Sequence, residues 1–405
     1  MSLAEAARAG VVPPFHAMAM SRWASEREAA GAPVLHLEVG QPSTPAPHAA
    51  RLAAIRALEA GEALGYTNSG GLMSLRRRIA RHYSDWYSVD IGPAEVLVVG
   101  GASAGFTLAF AAAFDGGDRV GVIEPGYPCY RNTLLALGIE PVPIAVDATS
   151  RGAPTAELLE AARPLDGLIV ASPSNPTGTV LNTAALAEIV TWCADRDVQL
   201  ISDEIYHGIV FDGRADTVRS LTNDAVVINS FSKYFSMTGW RIGWMLVPPH
   251  LADAVERLQQ NLYICAPHVS QVAGLAAFDC TAELDGHVAR YRTNRQLLLD
   301  GLATAGIIDV AAADGAFYVY ADVGHLLAGP DATQPDATQP DSMQPDSMQP
   351  DSMQLCRRWL DELGVACTPG LDFDLARGHR TVRFSYAGDG GDLVEACRRI
   401  TEWMS

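Results

Sequence analysis

From residue 95 to residue 247 the chain alternates short apolar runs with stretches of helical spacing, and this alternation limits the possible folds more than any other feature. The runs fall at 96–99, 119–123, 167–171, 199–202, 226–229 and 244–247. Short, mainly apolar runs without polar alternation bury both faces of a strand, as in a mainly parallel sheet covered by helices on either side. The expected fold class is therefore α/β, with a large domain of that kind. Helical spacing recurs at 288–303, and 315–320 and 381–386 read as further strands, so a smaller α+β domain follows. The expected division is an N-terminal segment at 1–45 joining the small domain, a large domain at 46–284, and a small domain at 285–405. Open α/β sheets bind ligands at the carboxyl ends of their strands, and the polar residues of interest stand directly after these runs.

One run ends in a lysine. In Ser230-Phe231-Ser232-Lys233, followed by Thr238-Gly239-Trp240-Arg241-Ile242-Gly243, Lys233 stands where loss of water disfavours the charged form and frees the amine as a nucleophile. Ser230, Ser232 and Arg241 offer neutral donors and a rigid guanidinium fork, the composition of a cradle for a dianion. A phosphate held beside an imine-forming lysine points to pyridoxal phosphate. Taken alone, the motif also fits a surface lysine in a Ser-rich turn.

Other stretches add to the constellation. Val98-Val99-Gly100-Gly101-Ala102-Ser103-Ala104-Gly105 leads from a strand into an apolar helix at 106–114, so free N–H groups at the helix start can hold an anion, although tight packing explains such glycines equally well. Tyr127, in Glu124-Pro125-Gly126-Tyr127-Pro128, offers a ring to stack on a planar ligand or to fill the core. The turn from Ala171 to Gly178 sets Asn175 after a buried strand, where its amide can donate to a phenolate-like oxygen. Asp203 ends the next strand and either keeps a pyridine nitrogen protonated or caps a helix. Tyr206, on the same side of a helical turn, can share the ring oxygen with Asn175. Gly40 follows a short alternating strand at 34–39 and permits close backbone approach to a ligand. The Gly-rich turn at 65–71, which includes Tyr66, is a candidate site loop. Arg383 lies among apolar residues, a setting in which arginine faces a bound anion or an internal carboxylate.

Composition narrows the partners. A formal charge of −18 opposes binding to nucleic acid, and Arg76, Arg77 and Arg78 read as a solvated helix face. Seven cysteines without a CxxC pair or regular spacing give neither a disulfide framework nor a zinc site, and no other metal site is expected. With Pro13-Pro14 interrupting the only N-terminal apolar stretch, and no run long enough to span a membrane, a cytoplasmic protein is expected. Residues 331–354 repeat every five residues as DATQP, DATQP, DSMQP, DSMQP and DSMQ. A proline in each repeat and little to bury predict an extended or disordered loop, either an inert expansion or a docking tether.

Together these residues resemble the class I and II aminotransferase family of fold-type I pyridoxal-phosphate enzymes, across essentially the whole chain except the pentapeptide insertion. The resemblance implies that Lys233 carries pyridoxal 5'-phosphate as a Schiff base, that Asp203 pairs with its ring nitrogen, that Asn175 and Tyr206 contact its ring oxygen, and that Tyr127 stacks on it. The amides of Ala102 and Ser103, with Ser230, Ser232 and Arg241, would hold the phosphate. Tyr66 would reach the phosphate of a partner subunit, which implies a homodimer with shared sites. Arg383, assisted by Asn175 and the Gly40 backbone, would take the substrate α-carboxylate.

The implied reaction moves an amino group between an L-amino acid and a 2-oxo acid in two half-reactions, with Lys233 as proton carrier. Carbon–sulfur lyases, β-lyases and enzymes similar to aminocyclopropane carboxylate synthase share the constellation and are the alternative. A regulator built on this fold would need a DNA-binding module, for which the sequence leaves no residues. Ala102 stands where some relatives carry a lysine, which turns the expectation from dicarboxylic toward apolar or aromatic side chains. By position, Phe15, His16, Tyr263 and Phe317 are candidate pocket residues.

Overall fold

The structure is a computed structural model, and it describes residues 6–147, 152–327 and 350–405. Seven strands, β1 (Val96–Val99), β2 (Arg119–Glu124), β3 (Glu140–Ala145), β4 (Gly167–Ala171), β5 (Gln199–Asp203), β6 (Val226–Ser230) and β7 (Gly243–Leu246), pair in the order β1-β7-β6-β5-β4-β2-β3. All run parallel except β7, which is antiparallel to both of its neighbours. The fold is α/β, with helices flanking a mostly parallel sheet. Strands β1, β6 and β7 are buried at every residue, including the polar Asn229 and Ser230 that end β6.

β3 has no counterpart among the expected strands. Its sequence, Glu-Pro-Val-Pro-Ile-Ala, carries Pro141 and Pro143, which cannot donate to a ladder. The edge position resolves the conflict, because among the described residues β3 pairs only with β2 and its prolines can face the open side.

The helix Ala102–Ala113 is apolar nearly all round and is correspondingly buried. Gly105 lets it approach the sheet: a Cβ there would stand 3.3 Å from Met245 Cγ and 3.4 Å from Ile228 Cγ2. Leu108, Ala109 and Phe110 are fully buried in the same cluster as Leu251 and Val255 of the helix Pro249–Leu262. Burying a phenylalanine such as Phe110 contributes about 1.5–3 kcal/mol.

Of the described residues, those within Met1–Pro14, Gln41–Thr293 and Ala312–Phe317 form one compact unit, which contains this sheet. Those within Phe15–Gly40, Asn294–Ala311 and Tyr318–Ser405 form another. The second unit contains β8 (Tyr318–Asp322), β9 (Thr368–Pro369) and β10 (Thr381–Ser385), antiparallel in the order β9-β10-β8. It also contains the parallel pair Leu35–His36 with Val365–Ala366 and the helices His16–Ala29 and Gly390–Met404.

Several local expectations change. The strand expected at 315–320 begins at Tyr318, while Gly315 makes an isolated bridge to Val210 in the first unit. Ile205–Gly208 is a turn, so Tyr206 does not sit on a helix. Arg77 is exposed, but Arg76 donates to Pro93 O at 2.9 Å and Arg78 lies over the Phe278 ring, so the three arginines are not one solvated face. Most of the pentapeptide repeat lies outside the described residues. Its last partial copy opens the helix Ser352–Arg358, because the Asp351 carboxylate accepts from Gln354 N at 2.9 Å and caps it. Ser352 is fully buried and donates to Gly378 O at 2.7 Å, which ties this end of the repeat to the second unit.

Candidate active site

The antiparallel course of β7 builds one corner of the site. Gly243, its first residue, pairs with Val99 at the end of β1 and with Ser230 at the end of β6. Arg241, two residues earlier, therefore arrives at the carboxyl edge of the sheet. It takes a left-handed conformation (φ 52°), and its Nη1 donates to Thr238 O at 3.0 Å. The guanidinium lies against the start of the helix Ala102–Ala113, where a Cβ on Gly101 would come 2.6 Å from Arg241 Nη2. Gly101 has φ 87° and is the N-cap, so the amides of Ala102 and Ser103 in the first turn stand outside the helical ladder. Ser230 Oγ donates to Ile242 O at 3.1 Å and accepts from Ser232 N at 3.0 Å, with Ser232 Oγ 2.9 Å away. A guanidinium, two hydroxyls and two first-turn amides thus converge at one corner, a donor set that fits a phosphate.

Beside this corner β5 ends in Asp203, which is 4% exposed. Tyr130 OH donates to its Oδ2, and Ile205 N donates to Oδ1 at 3.0 Å. Burial pushes its carboxyl up to about 6, opposed by these two donors and by the charge of Lys233. The next residue, Glu204, accepts from Thr217 Oγ1 at 3.0 Å and Val218 N at 2.9 Å, and burial pushes it up to about 8. Burial thus raises both adjacent carboxyls, Glu204 more than Asp203.

The remaining candidates in this unit lie along the same edge. Ser172 N donates to Asp203 O at 3.2 Å, so the turn bearing Asn175 leaves β4 beside Asp203. Asn175 is buried. Lys233 is half-buried rather than fully withdrawn from water, with Nζ 5.7 Å from the centre of the Tyr206 ring and 5.9 Å from that of Phe317. Tyr206 meets Phe317 edge to face at 5.5 Å. Tyr127 is half-buried and meets Tyr130 edge to face at 5.4 Å.

Tyr130 is absent from the sequence reading. Its signal was its place three residues after Tyr127, at the start of the helix Pro128–Leu137. It also packs on Phe106 at 5.0 Å, linking the buried helix to Asp203. Tyr66, by contrast, is 83% exposed. Its turn is pinned from behind, where His268 Nδ1 donates to Gly65 O at 2.9 Å and Gln271 Oε1 accepts from Leu72 N at 2.7 Å.

The second unit holds the other two candidates. Arg383 is buried on the central strand β10, opposite Tyr320 of β8 and Thr368 of β9. Its Nη2 donates to Glu38 O at 2.8 Å and to Thr368 Oγ1 at 3.3 Å. Gly40 faces Tyr318 so closely that any Cβ would overlap the tyrosine hydroxyl. Among the described residues, no group of three or more His, Cys, Asp or Glu side chains could hold a metal ion, and no helix is long and apolar enough to cross a membrane.

Comparison with known proteins places this arrangement. The family model for aminotransferase class I and II matches residues 32–400. The chain is 47% identical to the valine–pyruvate aminotransferase of Mycobacterium tuberculosis over 98% of each protein. It is 31% identical to the (5-formylfuran-3-yl)methyl phosphate transaminase of Methanocaldococcus jannaschii, over 96% of this chain and 97% of that one. The crystal structure of an aminotransferase from Mycobacterium tuberculosis matches with a TM-score of 0.91 at 46% identity, covering 100% of this chain and 99% of that one. The fold, the donor corner and the full-length likeness agree: the chain belongs to the class I and II aminotransferase family and is an enzyme of the transaminase type.

Proposed function

We propose that the protein uses pyridoxal 5'-phosphate to exchange amino groups between an L-amino acid with an apolar side chain and a 2-oxo acid, in a ping-pong sequence. The observation that carries this reading is the donor corner beside a buried, hydrogen-bonded carboxylate, with Lys233 on the same sheet edge. When bound, the cofactor supplies an electron sink for the pair left on a substrate carbon. Arg241, Ser230, Ser232 and the amides of Ala102 and Ser103 would hold its phosphate. Asp203 would pair with the ring nitrogen, its carboxyl raised by burial and lowered in part by its hydrogen bonds and by the charge of Lys233. Asn175 and Tyr206 would donate to the ring oxygen, and Tyr127 would stack on the ring. Lys233 would carry the cofactor, and its amine would take the proton from the substrate Cα. Arg383 would take the substrate α-carboxylate, with the Gly40 backbone of the same unit.

Ala102 brings no cation to the helix start, and one relative is named for valine and pyruvate; both support an apolar side chain. The exposure of Tyr66 supports a homodimer in which that ring reaches the partner's phosphate. A cytoplasmic location is part of this reading, since the seven free cysteines fit a reducing compartment. The test is borohydride reduction of the purified protein followed by peptide mapping, which should place the cofactor adduct on Lys233. A panel of amino donors with pyruvate and 2-oxoglutarate should then yield a new oxo acid and a new amino acid. An adduct on another lysine refutes the assignment of Lys233, and ammonia in place of the amino-acid product turns the reading to a lyase.

A further inference from the structure

The guanidinium of Arg383 lies over the faces of two aromatic rings. Its Cζ is 4.4 Å from the centre of Tyr318 and 4.8 Å from that of Phe373, and both rings are buried. Cation–π attraction and ring packing fix the plane of the group, while the hydrogen bonds from Nη2 to Glu38 O and Thr368 Oγ1 fix one corner within that plane. A carboxylate gripped by an arginine fork must approach in the guanidinium plane, so a fixed plane removes an ordering cost from binding.

Phe373 is itself held from behind. It follows the short turn Gly370–Asp372, with its N–H donating to Gly370 O at 2.8 Å. Asp372 fastens this turn to the start of the helix His16–Ala29: Oδ1 accepts from His16 N at 2.9 Å and Oδ2 from Ala17 N at 2.8 Å. One carboxylate thereby satisfies two first-turn amides. Tyr320 meets Phe373 edge to face at 6.0 Å, and its hydroxyl is fixed 2.6 Å from Thr381 Oγ1.

We infer that Phe373 and Tyr318 are positioning residues for carboxylate recognition by Arg383, and that Asp372 keeps Phe373 in place from the neighbouring helix. The inference rests on the reading of Arg383 as the group that takes the substrate carboxylate. It assigns these three residues to discrimination between an amino acid and the amine that lacks its carboxyl group.

The test uses the full-length holoenzyme and compares the single-turnover amino half-reaction of an L-amino acid with that of its decarboxylated amine. Phe373→Leu should lower the ratio of the two second-order rate constants about 3- to 30-fold, the range for loss of one guanidinium–ring contact. The loss should fall on amino-acid affinity, with the limiting rate and the cofactor absorbance unchanged. Phe373→Tyr should restore the ratio, and Asp372→Asn, which keeps an oxygen for one amide, should lower it by less than Phe373→Leu. A Phe373→Leu variant that slows both substrates equally, or leaves the ratio at the parent value, overturns the positioning role. Arg383→Gln separates the two layers. If it leaves the ratio unchanged, the carboxylate reading itself fails; if it collapses the ratio while Phe373→Leu does not, only the positioning role fails.

Discussion

Replacing Asp203 by asparagine should make the cofactor-free protein more stable and the enzyme nearly inactive. Asp203 is buried, and its carboxyl is pushed from 3.8 to about 6. The folded state then binds the proton more tightly than the unfolded state does. The ionised carboxylate therefore destabilises the fold above pH 6, and the penalty is relieved as pH falls toward 3.8. At about 1.4 kcal/mol for each tenfold change in proton affinity, the penalty is about 3 kcal/mol at pH 8 and roughly half of that at pH 5. An amide avoids it while retaining an oxygen for Ile205 N. If the whole chain unfolds together, Asp203→Asn should melt about 3–4 °C higher than the parent at pH 8 when both lack cofactor, with a smaller gap at pH 5. Turnover of the loaded variant should fall at least about a hundredfold, because an amide cannot keep the ring nitrogen protonated. Melts at the two pH values, paired with steady-state rates, check both halves. An apo variant no more stable than the parent at pH 8 refutes the burial argument. Near-parental turnover would reduce Asp203 to an acceptor for Tyr130 and Ile205.

Gly101→Ala should raise the dissociation constant for pyridoxal phosphate by about tenfold or more, since φ 87° with ψ 165° is a region essentially confined to glycine, costing about 1–3 kcal/mol for other residues, and its Cβ crowds Arg241. Absorbance titration of apo-protein measures this, and unchanged affinity would separate Arg241 from the helix start as parts of one cradle. Mixing Tyr66→Ala with Lys233→Ala subunits should restore activity in proportion to heterodimer formed, because one of the two sites then has both groups intact. No recovery in verified heterodimers would mean that Tyr66 acts within its own chain.

Strands buried on both faces declare themselves as apolar runs, so the sheet was legible apart from β3, where two prolines hide a strand that the edge position tolerates. Strand ends were less legible. β2, β5 and β6 each continue one residue past the apolar run, to Glu124, Asp203 and Ser230, because backbone pairing rather than side-chain polarity ends a strand. That extra residue is Asp203 in β5 and Ser230 in β6, so both stand at the carboxyl edge of the sheet. The Lys233 motif and the Gly100-Gly101 turn stand out in the sequence because their residue types are unusual for their positions. The supports behind them were not. Tyr130 had a weak signal in its spacing from Tyr127, whereas the contact of Asp372 with the amides of His16 and Ala17 spans most of the chain and leaves no local trace.

β1 and β7 are the first and last strands of the seven-stranded sheet in chain order, yet they are neighbours, and the donor corner opens where they meet. During synthesis, β2 through β6 can pair before Gly243 exists, but no assembly lacking β7 brings Arg241 to Gly101. An anion that draws on both halves of the corner gains its full affinity only after the last strand has inserted between β1 and β6. Ligand binding therefore lowers the free energy of the completed sheet and leaves earlier assemblies without that gain. The antiparallel strand thus couples anion affinity to completion of the sheet.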